Sequence, residues 1–149
     1  MPVNTELVGR EFPPTAPYLV GREKVREFAR AVFADAPLHT DVDAARALGY
    51  ADVVAPPTFA MVIQDQTLQQ LLSEPGSGIE LARTIHAEQR FAYTRPIVAG
   101  DELTATLSVT GIRTMGGNAM VTSDAEITDA AGAHVVTATS ILLVGEGEK

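Results

Sequence analysis

The segment "PPTFAMVIQDQTLQQLL", residues 56 to 72, constrains the fold more than any other stretch of the chain. From Phe59 to Ile63 every side chain is apolar, and a polar face opens only from Gln64 onward. A helix that is apolar on all sides is a buried helix. The proline pair, Pro56 and Pro57, marks where it begins, because the first helical turn does not need the N–H that proline lacks. The rest of the chain must therefore wrap this helix, which predicts it at the centre of the molecule.

The residues after the helix are suited to wrapping it. "SEPGSG" breaks the helical pattern and reads as a flexible loop. Beyond it "RTIHAEQRFAYTRPI" alternates, with Ile85, Ala87, Phe91 and Tyr93 predicted on one face and His86, Glu88 and Arg90 on the other. "DELTATLSVTGI" alternates Leu103, Ala105, Leu107 and Val109 against Thr104, Thr106, Ser108 and Thr110. "NAMVTSDAEIT" and "HVVTATSILLV" form a last pair, joined by the glycine-bearing turn "DAAGA". Ahead of the central helix come a short strand at Tyr18 to Val20 and a helix over "GREKVREFARAVF". That helix carries its apolar stripe on Val25, Phe28, Ala29 and Val32 and is closed by Pro37. A second short helix over "DVDAARALG" is capped by Asp41 or Asp43 and ended by Gly49. Helices first and antiparallel strands after make an α+β fold in a single domain, residues 1–149.

Composition removes several functions. There is no cysteine, so disulfides, thiolate metal sites and cysteine nucleophiles are excluded. The three histidines, His39, His86 and His134, have no ligand spacing, and neither a metal nor a cofactor is expected. A net charge of −8 argues against nucleic acid, whose phosphates need a basic surface. The two basic groups, Arg22, Lys24, Arg26 and Arg30, then Arg83, Arg90 and Arg95, read as solvated surface. "MPVNTELVGREF" lacks the basic-then-apolar order of a signal peptide, and no apolar run approaches the ~20 residues of a membrane span. A cytoplasmic protein without membrane insertion is expected.

A buried helix in a long antiparallel sheet, with "TRPIVAGDEL" entering the second long strand, resembles the hot-dog fold. It looks in particular like the MaoC-type enoyl hydratases and 3-hydroxyacyl dehydratases, which carry F-x-x-P-V-x-x-G-D-x-L where this chain has Phe91 to Leu103. "VGREKVREFARAV", "AARALGYADVVAPPTF" and "GGNAMVTSDAEITDAAGAHVVTATSILL" extend the resemblance from about Gly9 to Val144. They resemble the actinobacterial, UPF0336-type MaoC-like group, with the subunits of the mycobacterial (3R)-hydroxyacyl-ACP dehydratase.

The resemblance implies a reaction and a site. Dehydrating a 3-hydroxyacyl thioester removes a proton beside the carbonyl and protonates the departing hydroxyl; in the family an Asp and a His in G-D-x-N-P-[LIV]-H serve these steps. Histidine suits proton transfer near neutrality, and a positioned acid/base group contributes roughly 10²–10⁴-fold. Backbone N–H groups at the start of the central helix, which begins around Pro57 and supplies them from Thr58 and Phe59, are expected to hold the thioester oxygen. The acyl chain, carried on acyl carrier protein or coenzyme A, would run past Phe59, Met61, Val62 and Ile63.

Aligned without a gap, Pro37, Leu38 and His39 match the motif directly. The motif's Asn falls on Ala36, its Asp on Ala34 and its Gly on Phe33, while Asp35 sits one position late. Three arrangements remain open: a tighter loop that gives a His39–Asp35 dyad, His39 alone, or a substrate-binding subunit whose catalytic groups come from another hot-dog chain. Two hot-dog units pairing edge to edge would remove the exposed sheet edge, so a homodimer, or a heterodimer with another hot-dog subunit, is expected. A hot-dog thioesterase would need a carboxylate on the central helix, where the chain offers Asp65. His86 and exposed His134 read as sheet or surface residues. Gln89 reads as a buried amide seeking partners, Asn118 as a turn residue, and Asp101 as the anchor of the turn into the next strand.

Overall fold

The structure, a computed structural model, describes residues 1–147. In chain order it contains a two-residue strand β1 (Tyr18–Leu19), helices α1 (Arg22–Ala31), α2 (Val42–Ala47) and α3 (Ala60–Leu72), and four long strands. These are β2 (Thr84–Tyr93), β3 (Glu102–Met115), β4 (Asn118–Thr128) and β5 (His134–Val144). The strands form one antiparallel sheet in the order β1-β3-β4-β5-β2.

The helix α3 lies against the inner face of this sheet, entered through a 3-10 turn at Pro57–Phe59. Ile63, Gln64, Thr67, Leu68 and Leu71 are buried toward Leu103, Ala105, Leu107 and Val109 of β3 and the inward residues of β4 and β5. Phe28 of α1 meets Phe59 edge to face at 5.3 Å, which seals the other side of the helix start. Burial is not complete around the helix: Thr58, Asp65 and Gln69 are exposed, and Met61 and Val62 are half-buried. No helix among the described residues is long and apolar enough to cross a membrane.

The two outer edges of the sheet are treated differently. Residues 9 to 15 run along β3, with Gly9 and Phe12 donating to the Val109 and Leu107 carbonyls at 2.8 Å and Thr15 to Ala105 at 2.9 Å. Leu7 and Phe12 anchor this N-terminal strap in the core. No such cover lies along β2 among the described residues, and its outer edge is open.

Four local expectations are corrected. The helix α1 ends at Ala31, well before Pro37, because Phe33 turns the chain out with a left-handed φ of 58°. β2 does not alternate throughout: a bulge between His86 and Glu88 inserts Ala87, so Ile85 pairs with Leu143 and stands 64% exposed instead of facing inward with Phe91 and Tyr93. In "MGGN" it is Gly116 and Gly117 that take positive φ, while Asn118 already belongs to β4. "SEPGSG" is partly held: Ser77, Gly78 and Ile79 are buried, and the positive-φ Gly78 lies so close to the Pro2 backbone that a Cβ would meet it at 2.1 Å.

Candidate functional site

The site begins at the end of α1. The Ala34 N–H donates to the Ala29 carbonyl at 2.8 Å and the Phe33 N–H to the Arg30 carbonyl at 3.3 Å. With Phe33 in the left-handed conformation, this is the Schellman termination, whose left-handed position glycine usually fills. Phe33, which falls on the motif's glycine when the motif is aligned without a gap, thus takes a conformation that glycine adopts most readily, in line with the gapless alignment. It puts half-buried Ala34 at the motif's acid position and exposed Asp35 beyond it. Asp35 makes no hydrogen bond or ion pair among the described residues and does not line the cleft beside His39.

Pro37–His39 form a 3-10 turn that turns His39 toward the strand-like residue Val54. The His39 Nδ1 lies 2.5 Å from the Val54 carbonyl, and the Val54 N–H donates to the Leu38 carbonyl at 2.9 Å. A proton on Nδ1 is the one that a carbonyl can accept, which leaves the Nε2 lone pair free. His39, Leu38, Tyr50, Val54 and Ala55, together with Pro57, Tyr93, Thr94, Arg95 and Pro96, line a cleft of about 440 Å³.

Tyr93, at the end of β2, ties that strand to the turn that enters α3. Its hydroxyl donates to the Pro57 carbonyl. Burial pushes the phenol up to about 12, with a hydrogen bond from the Ala60 N–H offsetting part of that, so Tyr93 is a neutral donor at ordinary pH. Arg95 at the cleft rim is already engaged: it forks onto Asp101 at 2.8 and 3.1 Å and reaches Asp129 at 3.3 Å. The Asp101 hydrogen bond, first, and its charge hold the Arg95 guanidinium above its ordinary range. Asp101 also accepts from the Val98 N–H at 2.9 Å, which fixes the turn into β3.

Of the residues singled out from sequence, His39 and Pro57 meet in the cleft. Thr58 is exposed just outside it, Phe59 is fully buried against Phe28, and Val62 lies half-buried at the edge of the core. Asp65 is exposed on α3, away from the cleft lining. His134 bonds the Thr94 and Thr137 hydroxyls at 2.6 and 2.7 Å, and His86 bonds Gln89 at 3.0 Å. Sequence reading missed Tyr50, Tyr93 and Arg95 as cleft residues. Only Tyr93 carried a signal, its inward place in the alternation of β2.

Comparison with known proteins agrees with this geometry. Residues 6–138 match the FAS1-like, dehydratase domain region family. A UPF0336 protein of Clavibacter michiganensis is 65% identical over 144 residues, 97% of each chain. The (3R)-hydroxyacyl-ACP dehydratase complex HadBC of Mycobacterium tuberculosis contains a chain with 31% identity and a TM-score of 0.85, over 92% of this chain and 96% of that one. A MaoC-like dehydratase shares 38% identity at a TM-score of 0.79, covering 94% of this chain but 42% of the other. An antiparallel sheet curled on one helix, a Pro-Leu-His turn at the cleft and these relatives place the chain in the FAS1-like dehydratase-region family, among the UPF0336 proteins on the hot-dog fold.

Proposed function

We propose that the chain is the acyl-binding subunit of a (3R)-hydroxyacyl-thioester dehydratase, or enoyl hydratase, working beside another hot-dog chain that carries a complete acid/base set. The thioester is on acyl carrier protein or coenzyme A. The observation that carries the reading is at Ala34: the loop keeps the left-handed turn at Phe33 and the cleft keeps His39, but a methyl group stands at the acid position. Dehydration takes a proton from C2 and delivers one to the hydroxyl leaving C3. The Nε2 of His39 can handle one of these transfers; Ala34 can handle neither. What the chain retains is a largely apolar cleft at the start of the central helix, suited to an acyl thioester.

Hydration of an enoyl-CoA by the purified chain, alone and with a co-expressed MaoC-like chain, tests the reading. The chain alone should be nearly inactive and the pair active, with His39→Ala changing the pair's rate little. Ala34→Asp should raise the activity of the chain alone by about tenfold or more, since an acid/base group supplies roughly 10²–10⁴-fold when well placed. Full activity of the unpaired chain, abolished by both Asp35→Ala and His39→Ala, would overturn the proposal in favour of a dyad in this subunit.

A further inference from the structure

The apolar surface that leads away from the cleft along the central helix is short. Pro57, in the cleft lining, begins the turn into α3. The apolar side chains that follow it and keep some exposure are Met61 and Val62, both half-buried. Phe59, Ala60 and Ile63 are fully buried in the core and have no surface left for a ligand. On β2 the residues of the inward face nearest the cleft are Tyr93 and then Phe91, half-buried and packed on the same core as Val62.

Just beyond Val62 and Ile63 the helix turns polar on two sides at the same level. On its open side Asp65 is exposed, and Gln69 is exposed one turn later. Toward β2, the Gln89 Nε2 donates to the Gln64 Oε1 at 2.7 Å, and the Gln64 Nε2 donates onward to the Ala138 carbonyl at 3.3 Å. This amide bridge is anchored at both ends: Gln64 is fully buried, and the His86 Nε2 lies 3.0 Å from the Gln89 Oε1. Strand and helix are therefore joined twice, by Tyr93 to Pro57 at the cleft and by Gln89 to Gln64 farther along. The seam between those two bonds has Phe91 on its strand side.

We propose that Gln64, Asp65 and Gln89 set the length of the acyl group that this chain accepts and make it a binder of medium-chain acyl thioesters. The inference rests on the proposed acyl-binding role and names the substrate class for it. The path from Pro57 to Gln64 covers one 3-10 turn and the first turn of α3. That is about 10–12 Å, which an extended acyl chain of roughly eight to ten carbons fills.

Up to that length each methylene leaves water for Met61, Val62 or Phe91, and binding strengthens. A longer tail must lie over the Asp65 carboxylate or push apart the Gln64–Gln89 bridge. Either takes water or a hydrogen bond from a polar group and returns none, which costs more than one methylene contributes. The bridge resists in particular, because opening it strands an amide that is fully buried. A route between helix and sheet is closed as well: Ala60, Ala105, Ala125 and Ala138 are fully buried in one packed cluster.

Calorimetric titration of the whole chain with saturated S-acyl pantetheines, butanoyl to tetradecanoyl, tests the limit; pantetheine is the part that acyl carrier protein and coenzyme A share. Affinity should rise roughly three- to fourfold per added carbon as far as octanoyl or decanoyl, then level off. Asp65→Leu, at an exposed position, should let the rise continue if the tail follows the open side. The double variant Q64L/Q89L removes both amides of the bridge together and should let it continue if the tail follows the seam. Gln89→Ala, at a half-buried position, repeats the second test should the buried change prevent folding. An extended rise in any of these variants upholds the limit, since a glutamine pair that served packing alone would leave ligand length untouched. Wild-type affinity that climbs through tetradecanoyl, or a limit that none of the variants moves, would overturn the inference and leave the acyl-binding reading standing. Binding of no acyl pantetheine of any length, by the chain alone or beside the co-expressed MaoC-like chain, would overturn that reading itself.

Discussion

Phe33 occupies a backbone region where an L side chain is strained by about 1 kcal/mol or more, and it gains no burial in return, being 91% exposed. Phe33→Gly should therefore raise stability by about 1 kcal/mol, read as a higher urea midpoint at unchanged slope. An unchanged or lowered midpoint would mean that the phenyl ring contributes a contact. Under the proposed function Ala34 next to it governs the chemistry, and its effect is the opposite kind: a change there should alter turnover and leave stability nearly untouched. Both roles depend on backbone conformation and alignment, so no local propensity at "FADAPLHTD" could have announced them.

Among the elements, the N-terminal strap is a lid over one sheet edge. Phe12, 4% exposed, is its anchor in the core, so Phe12→Ala should cost about 3–5 kcal/mol in chemical denaturation. A loss under about 1 kcal/mol would show that the strap merely lies on the sheet. The helix α1 is held to the loop before α3 by Arg22, which grips Asp52 through two bonds of 3.0 and 2.7 Å. That hydrogen bond, more than the charge alone, keeps the Asp52 carboxyl below its usual range, helped by the Val53 N–H. A carboxyl lowered in the folded state stabilises it above the unfolded value, about pH 3.9, and loses that contribution as pH falls through the lower folded value. Asp52→Asn should thus cost stability at neutral pH and flatten its decline below about pH 4; parallel curves for both proteins would refute the linkage. The strands themselves were legible from their alternation, except at the β2 bulge, where one extra residue, Ala87, reverses the face of Ile85.

At the scale of the whole molecule, the half-exposed side of α3 and the open β2 edge are both unfinished surfaces, and Gln89 of β2 bonds the buried Gln64 of α3. If they are covered by a partner, stability becomes tied to concentration. Differential scanning calorimetry should then show the melting midpoint rising with each tenfold increase in protein; a midpoint independent of concentration would indicate a monomer that unfolds alone. A chain of the HadBC complex has nearly the same length and the same fold.

By itself the sequence determined the fold class. A helix whose first turns are apolar on every side, followed by largely alternating strands, has few solutions other than a sheet laid on that helix, because burial of apolar surface is non-directional and depends on pattern. It also picked out the Pro-Leu-His segment and narrowed the cap of α2 to Asp41 or Asp43; the structure chose Asp41, whose carboxylate accepts from the Asp43 and Ala44 N–H groups. The site was decided by tertiary structure. That His39 is held by the Val54 carbonyl, that Tyr93 bonds Pro57, and that Asp35 is exposed outside the cleft all depend on segments brought together from 15 to 36 residues apart, or on the direction in which one turn leaves a helix. Hydrogen bonds are directional and short, so the pattern of side-chain types can nominate their partners but cannot bring them into contact.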